Sequence, residues 1–315
     1  MAERVAGIHF QGATLPETVA MIRRADQAGV PAVWLTAGGL GADSLTTLAV
    51  AGTQTTQIQL GTSIVVTYSR HPIAMIQQAV AIAQVAPGRF RLGIGPSHGP
   101  TIQGTYGLPF RRPLEQVREY ATILTQAFGT GKVDFEGQQF KVHAQVPNPP
   151  AIPLYLAALR APAHELAGEI AAGSISWVTP AAYLRDVARP ALLRGATSRG
   201  GGPPPRLVAQ LFGLVSDDVA AVQQLGRERL AVYTRLPFYQ AMFAGAGYPD
   251  ARDGVVSDAL LAELVLSGDE AQVSQGIRRF RDAGVDEVIV SLLPAGRALE
   301  ASLDRTFRLL GQGIG

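Results

Sequence analysis

The feature that most constrains this chain is an alternation. Eight short apolar runs each lead into a segment of helical periodicity. The runs are 5–10, 30–37, 58–66, 89–95, 154–159, 174–179, 207–216 and 286–294. After the first comes "LPETVAMIRRADQAG", where Val19, Ile22 and Ala25 recur at helical spacing and Gly29 ends the pattern. Asp43 or Ser44 suits the N-cap of the second helix, and Pro72 suits the first turn of the third. Strands alternating with helices predict a parallel sheet covered by those helices. Eight units in 315 residues fit a closed (β/α)₈ barrel better than an open sheet, as a single α/β domain over 1–315.

Two insertions interrupt the rhythm. "KVDFEGQQFKVH" has strand character around a Glu-Gly turn and predicts a hairpin before the fifth strand, followed by the extended connector "VPNPPAIP". Residues 233–268 are aromatic-rich and helical, an insertion before the eighth strand. "SRGGGPPPR" reads as a flexible surface connection.

Composition removes several chemistries. There is no cysteine, which excludes disulfides, thiolate metal sites and cysteine nucleophiles. No apolar run approaches the roughly 18–20 residues that span a bilayer. The N-terminus has no signal-peptide pattern, so a cytoplasmic protein is expected. The isoelectric point of about 9.0 accompanies a formal charge of only +2 and two lysines, Lys132 and Lys141. No basic stripe with interleaved aromatics is present, and no nucleic-acid partner is expected.

"RFRLGIGPSHG" (89–99) raises the question of a dinucleotide-binding turn. That motif joins a first strand to a first helix and needs an acid about 20 residues later. Here Gly93, Gly95 and Gly99 have the wrong spacing, the strand is the fourth, and Glu115 lies in a helical pattern. The alternative is a barrel strand delivering Ser97 and His98 to the top face, with Gly93 and Gly95 leaving room for a flat ligand.

The predicted strand ends read His9-Phe10-Gln11, Trp34-Leu35-Thr36, Ser63 to Val66, Ser97-His98, Ala158-Leu159-Arg160, Trp177-Val178-Thr179, Val215-Ser216 and Ser291-Leu292-Leu293. Carboxylates and lysines are missing. A glycosidase needs two acids, a metal-assisted hydrolase needs acidic ligands or a base, and a Schiff-base barrel needs a lysine. An apolar, aromatic mouth suits a flat organic cofactor that brings its own reactivity.

The segments "LGTSIVVTYSRHPIAMIQQA", "GRFRLGIGPSHGPTIQGTYGLPFRRPLEQVREY", "VDFEGQQFKV", "PLYLAAL", "YTRLPFYQAM" and "FRDAGVDEVIVSLLP" resemble the luciferase-like oxidoreductases, in particular the branch that uses the deazaflavin coenzyme F420. The resemblance covers nearly the whole chain. It implies a (β/α)₈ barrel with the cofactor at the top face, in an enzyme that is often a homodimer. It matches Ser63-Ile64, flanked by Thr62 and Val65, to a bulge with a non-proline cis peptide behind the deazaflavin ring. It matches Gly95, Ser97 and His98 to cofactor contacts, and Ala158, Leu159, Arg160, Ala161 and Pro162 to a loop receiving the cofactor phosphate. Helix-start N–H groups suit that anion.

Departures from the family pattern are also visible. Well-known members carry an acid–histidine pair after strand two, where this chain has "WLTAGGLGAD". They carry a glutamate after strand four, where this chain has Ser97-His98, and a glycine pair where it has Leu159-Arg160. Their substrates therefore do not transfer. The expected activity is hydride transfer between deazaflavin and a small organic molecule, reducing an activated C=C, C=N or C=O bond. The rivals are an FMN-dependent monooxygenase and a non-catalytic flavin-binding barrel.

His98 is the candidate proton donor or cofactor contact; otherwise it fixes its loop. His9 either faces the pocket or is a satisfied barrel histidine. Trp34 and Trp177 either wall the ring site or belong to the core. His71 is expected to organise a helix start, Tyr68 to donate a phenolic hydrogen bond, and Arg111 and Arg112 to lie in a solvated loop or meet an acidic cofactor tail. The stripe Tyr233, Phe238, Tyr239, Met242 and Phe243 covers the substrate, packs a helix or buries a subunit interface.

Overall fold

The computed structural model describes residues 5–10, 12–38 and 41–314. Gln11, placed by the sequence at a strand end, lies outside them, as do Gly39 and Leu40 of the loop after the second strand. The strands are β1 (Val5–His9), β2 (Ala32–Ala37), β3 (Gln59–Val66), β4 (Phe90–Gly95), β5 (Lys132–Glu136), β6 (Lys141–Gln145), β7 (Leu154–Ala157), β8 (Gly173–Trp177), β9 (Arg206–Val215), β10 (Val265–Gly268) and β11 (Glu287–Leu292). Eight of them pair in parallel in the order β1–β2–β3–β4–β7–β8–β9–β11, and β11 returns to β1 to close the cylinder.

The expected hairpin is β5–β6, antiparallel, ahead of the fifth barrel strand. The helical insertion after β9 is present too, but it ends in β10, a strand that the helical reading of 233–268 missed. β10 pairs in parallel with the last four residues of β9. β8 holds the first half of β9 and then leaves at Val178, whose φ of 42° is rare for a β-branched residue. β10 takes over the vacated hydrogen bonds, as the bond from Ser216 N–H to Gly268 O shows.

Local rules place the helices. Thr14 and Glu17 form a reciprocal capping box at the start of helix Leu15–Gln27. Asp43, rather than Ser44, caps the second helix by accepting from Thr46 N–H. His71 caps helix Pro72–Val85 by accepting from Ile73 N–H, with Pro72 in the first turn.

The barrel interior is filled below its mouth by Ala32, Trp34, Tyr155, Ile175, Val208 and Ile289. Gly61 exists because a Cβ there would collide with the Trp34 indole. Beneath the indole lies a buried charge cluster. Glu287 accepts from Trp34 Nε1 at 2.8 Å and from Arg91 at 2.6 and 3.1 Å, and Arg91 stacks 4.3 Å over the indole ring. The floor is therefore a packed plug, as in other barrels of this kind. Among the described residues no helix is long and apolar enough to cross a membrane.

Candidate functional site

The C-terminal ends of the barrel strands form a mouth whose first wall is a bulge in β3. Pairing with β2 slips between Leu35 and Ala37, and pairing with β4 slips between Gly61 and Val65. The Ser63–Ile64 peptide at this bulge is cis. A side-chain hydroxyl replaces the lost ladder bonds. Thr62 Oγ1 donates to Gly93 O and accepts from Gly93 N–H, both at 2.8 Å. A Cβ on Gly93 would collide with the Thr62 carbonyl. Gly93 thus makes room for the bulge, not for a flat ligand.

A second chain of hydrogen bonds holds the bulge from below. Thr36 Oγ1 donates to Ser63 O at 2.8 Å. That uses the only hydroxyl proton, so at its 3.1 Å contact with His9 Nε2 the threonine accepts. His9 is therefore protonated on Nε2, and its bare Nδ1 accepts from Ser291 Oγ at 2.7 Å. Burial lowers the His9 pKa to about 4, which keeps the ring neutral. Ser63 Oγ is buried with no hydrogen-bond partner. A native buried hydroxyl of this kind marks a group awaiting a ligand or water.

The neighbouring wall comes from β4 and β7. Ser97 follows β4 with φ 61°, a left-handed conformation that turns His98 onto the rim. The His98 ring is exposed at the rim, and desolvation by the surrounding protein lowers its pKa. After β7, Arg160 is the N-cap of helix Ala161–Ile170, and no side chain caps the turn; Pro162 has no N–H and Ala163 bonds to Arg160 O, which leaves the Ala161 N–H free. An anion is the natural partner for such a turn. The Arg160 guanidinium stacks 4.6 Å over Phe238.

The far wall is aromatic. Trp177 ends β8 and lies 4.8 Å from Phe212 of β9 and 5.8 Å from Tyr233, centroid to centroid. Tyr233 meets Tyr239 at 5.0 Å, and Tyr239 meets His98 at 5.9 Å. The rings make a continuous band from β8 to the loop after β4. Trp177 Nε1 is buried without a hydrogen bond of good geometry, with the Tyr233 phenol beside it. Of the acids nearest the mouth, Asp217 pairs with Arg305 and Asp218 caps helix Val219–Tyr233. A cleft of about 760 Å³ between Ala181, Tyr248, Glu263 and Arg279 lies outside the mouth, on the barrel flank.

The structure brings His9, Ser63, Ile64, Ser97, His98, Ala158, Leu159, Arg160, Ala161, Pro162 and Trp177 to the strand ends and loops of this face. Four expected contacts are corrected. Trp34 is fully buried in the plug and held by Glu287, so it cannot wall the site. Thr62 is fully buried and spends its hydroxyl on β4. Val65 is fully buried in the layer between barrel and helices. Gly95 is covered, since a Cβ there would meet Ala157 at 2.6 Å and Ile64 at 3.2 Å. Tyr68 donates its phenolic proton to Arg111 O at 3.0 Å, a loop contact within the chain, and Arg111 and Arg112 are exposed. Sequence reasoning missed the roles of Thr36, Ser291, Phe212 and the Arg91–Glu287 pair. Alternation along β9, which puts Val208 and Phe212 on the same face, was the available signal for Phe212.

The model of a known family matches residues 2–287. The chain belongs to the luciferase-like monooxygenase family. Its luciferase-like relatives include the 5,10-methylenetetrahydromethanopterin reductase of Methanopyrus kandleri, 24% identical over 100% of this chain and 98% of the relative. The structure of a coenzyme F420-dependent tetrahydromethanopterin reductase from the same organism superposes with a TM-score of 0.81 at 22% identity, covering 99% and 98% of the two chains. The FMN complex of the oxygenating constituent of 3,6-diketocamphane monooxygenase from Pseudomonas putida superposes at 0.78 with 16% identity, over 99% and 97%. Both superpositions establish the luciferase-like barrel fold.

Proposed function

We propose that the protein is an oxidoreductase that binds coenzyme F420 in the barrel mouth and exchanges a hydride with a small organic substrate. The whole chain acts as one catalytic unit in this reading. The observation that carries it is the β3 bulge with its unpartnered Ser63 hydroxyl, on the same barrel face as the uncapped helix start that follows β7, two strands away. Ser63 and Ile64 would back the ring, Ser97 and His98 would meet its edge, and the Arg160 guanidinium with the Ala161 N–H would take the phosphate. Bound there, deazaflavin supplies two-electron chemistry at one ring carbon.

The chain's own groups do the remaining work. His9 holds its proton on Nε2 and stays neutral, so the mouth keeps no charge beneath the ring. The aromatic band excludes water from the far side. No carboxylate free of a partner adjoins the mouth among the described residues, which disfavours proton abstraction from an alcohol and favours reduction of an activated C=C, C=N or C=O bond. A homodimer acting in the cytoplasm accompanies this reading on the family resemblance.

Titrating the purified protein with F420 and with FMN tests the proposal. Saturable F420 binding that weakens in Arg160→Ala, with little uptake of FMN, is the expected result. Selective FMN binding would instead favour a monooxygenase, and uptake of neither would leave the reading without its cofactor.

A further inference from the structure

The aromatic band lies across the barrel from the β3 bulge. In the ring order β1–β2–β3–β4–β7–β8–β9–β11, β3 and β9 are four strands apart, which is diametrically opposite in an eight-stranded cylinder. If the cofactor ring rests on β3, the band of Trp177, Phe212, Tyr233 and Tyr239 faces it over the substrate space. This inference rests on that reading.

The chemistry of the band is restrictive. Aromatic faces and edges favour a flat π-system over a puckered ring. Burial holds the Tyr239 phenol well above its usual pKa, so it stays uncharged at neutral pH, and desolvation lowers the pKa of the His98 imidazole. The cation on this rim, Arg160, is engaged with the Phe238 ring and adjoins the uncapped helix start. The four rings of the band carry no charge of their own, and Arg229, whose charge reaches the Tyr233 phenol, is exposed one helical turn earlier. What it does present is the Tyr233 phenol beside the buried Trp177 indole N–H. A carbonyl oxygen satisfies such donors without bringing charge.

We infer that this wall selects an uncharged, flat α,β-unsaturated carbonyl compound, held against Trp177, Tyr233 and Tyr239. Tyr233 is the specificity-determining residue. It comes from the insertion after β9 and joins Trp177 to Tyr239.

The chain reports on this wall by itself. It has two tryptophans, and Trp34 is sealed in the plug, so ligand-accessible indole emission comes from Trp177. The test is a fluorescence titration of the cofactor-free protein with cyclohex-2-enone, cyclohexanone and glucose 6-phosphate. A saturable response to the enone is expected, with the saturated ketone about tenfold weaker and the sugar phosphate silent. Trp177→Phe should abolish the response while Trp34 emission persists. Tyr233→Ser should weaken enone binding about tenfold, and Tyr233→Phe should restore most of it. Linear, non-saturating quenching would overturn the inference. So would saturable binding of the sugar phosphate by Arg160→Ala, which lacks the cation of the phosphate site, or an unchanged Tyr233→Ser in a protein whose circular dichroism matches the parent. F420 titrated in parallel separates the two proposals: uptake of F420 without the enone sinks the substrate class alone, and enone uptake without F420 sinks the cofactor alone.

Discussion

His9 Nδ1 and Ser291 Oγ meet at 2.7 Å, across the seam where β1 and β11 close the barrel and where these two residues are register partners. From that seam the bonds run through His9 to Thr36 and on to the Ser63 carbonyl. Side chains of three adjacent strands thus lock the β3 bulge, where pairing with β2 and β4 slips. The bulge is presented to the mouth by this chain as much as by β3 itself.

Thr36→Val removes the link while keeping the shape. F420 binding is expected to weaken about tenfold, the loss of roughly one buried hydrogen bond. Thr36→Ser should recover most of it. Fluorescence titration of both variants, with circular dichroism as a fold control, checks this.

Thr62→Val acts on the other side of the bulge and should appear in stability. The Gly93 N–H and C=O would both lose their partner in a buried site. A destabilisation of about 1–3 kcal/mol is expected from urea unfolding.

Glu287→Gln tests the plug. Glu287 is fully buried and meets the buried Arg91 guanidinium, with Arg206 3.7 Å away. Removing one partner leaves uncompensated buried charge, at a cost of about 3–5 kcal/mol. A shift of the unfolding midpoint in urea measures it. Little change would mean the pair contributes less than its burial implies.

Acid should weaken the fold through two buried histidines. His164 is fully buried against Ser174, and burial lowers its pKa from 6.5 to about 3; His9 falls to about 4. As pH drops below 6.5 the unfolded chain takes up protons that the folded one refuses. Stability is therefore complete above about pH 6.5 and declines toward pH 3. Melting temperatures across that range should show the decline, and His164→Gln should flatten it.

Much of the architecture was legible because alternation and caps are local signals. The eight barrel strands, the hairpin and the His71 cap all came from short segments, whereas the Ser63-Ile64 position came from the family resemblance. β10 was not legible: it follows helix Asp258–Leu264 with no turn residue between, and only its partner β9 makes it a strand. The corrected residues fail for one reason. Trp34, Thr62 and Val65 all lie near strand ends, but which side chains face the mouth depends on the bulge and on the depth of each strand in the cylinder. Glu287 begins the last strand, so a search of strand ends for acids passed over it. Its role exists only because Arg91 and Trp34 converge on it from distant strands.

The most direct measurement is a crystal structure of the protein soaked with F420. The deazaflavin ring is expected against Ser63 and Ile64, within about 4 Å, with its phosphate at the start of helix Ala161–Ile170 and its free face toward Tyr233. A ring bound elsewhere, or a mouth that stays closed by side chains at saturating F420, would contradict the site.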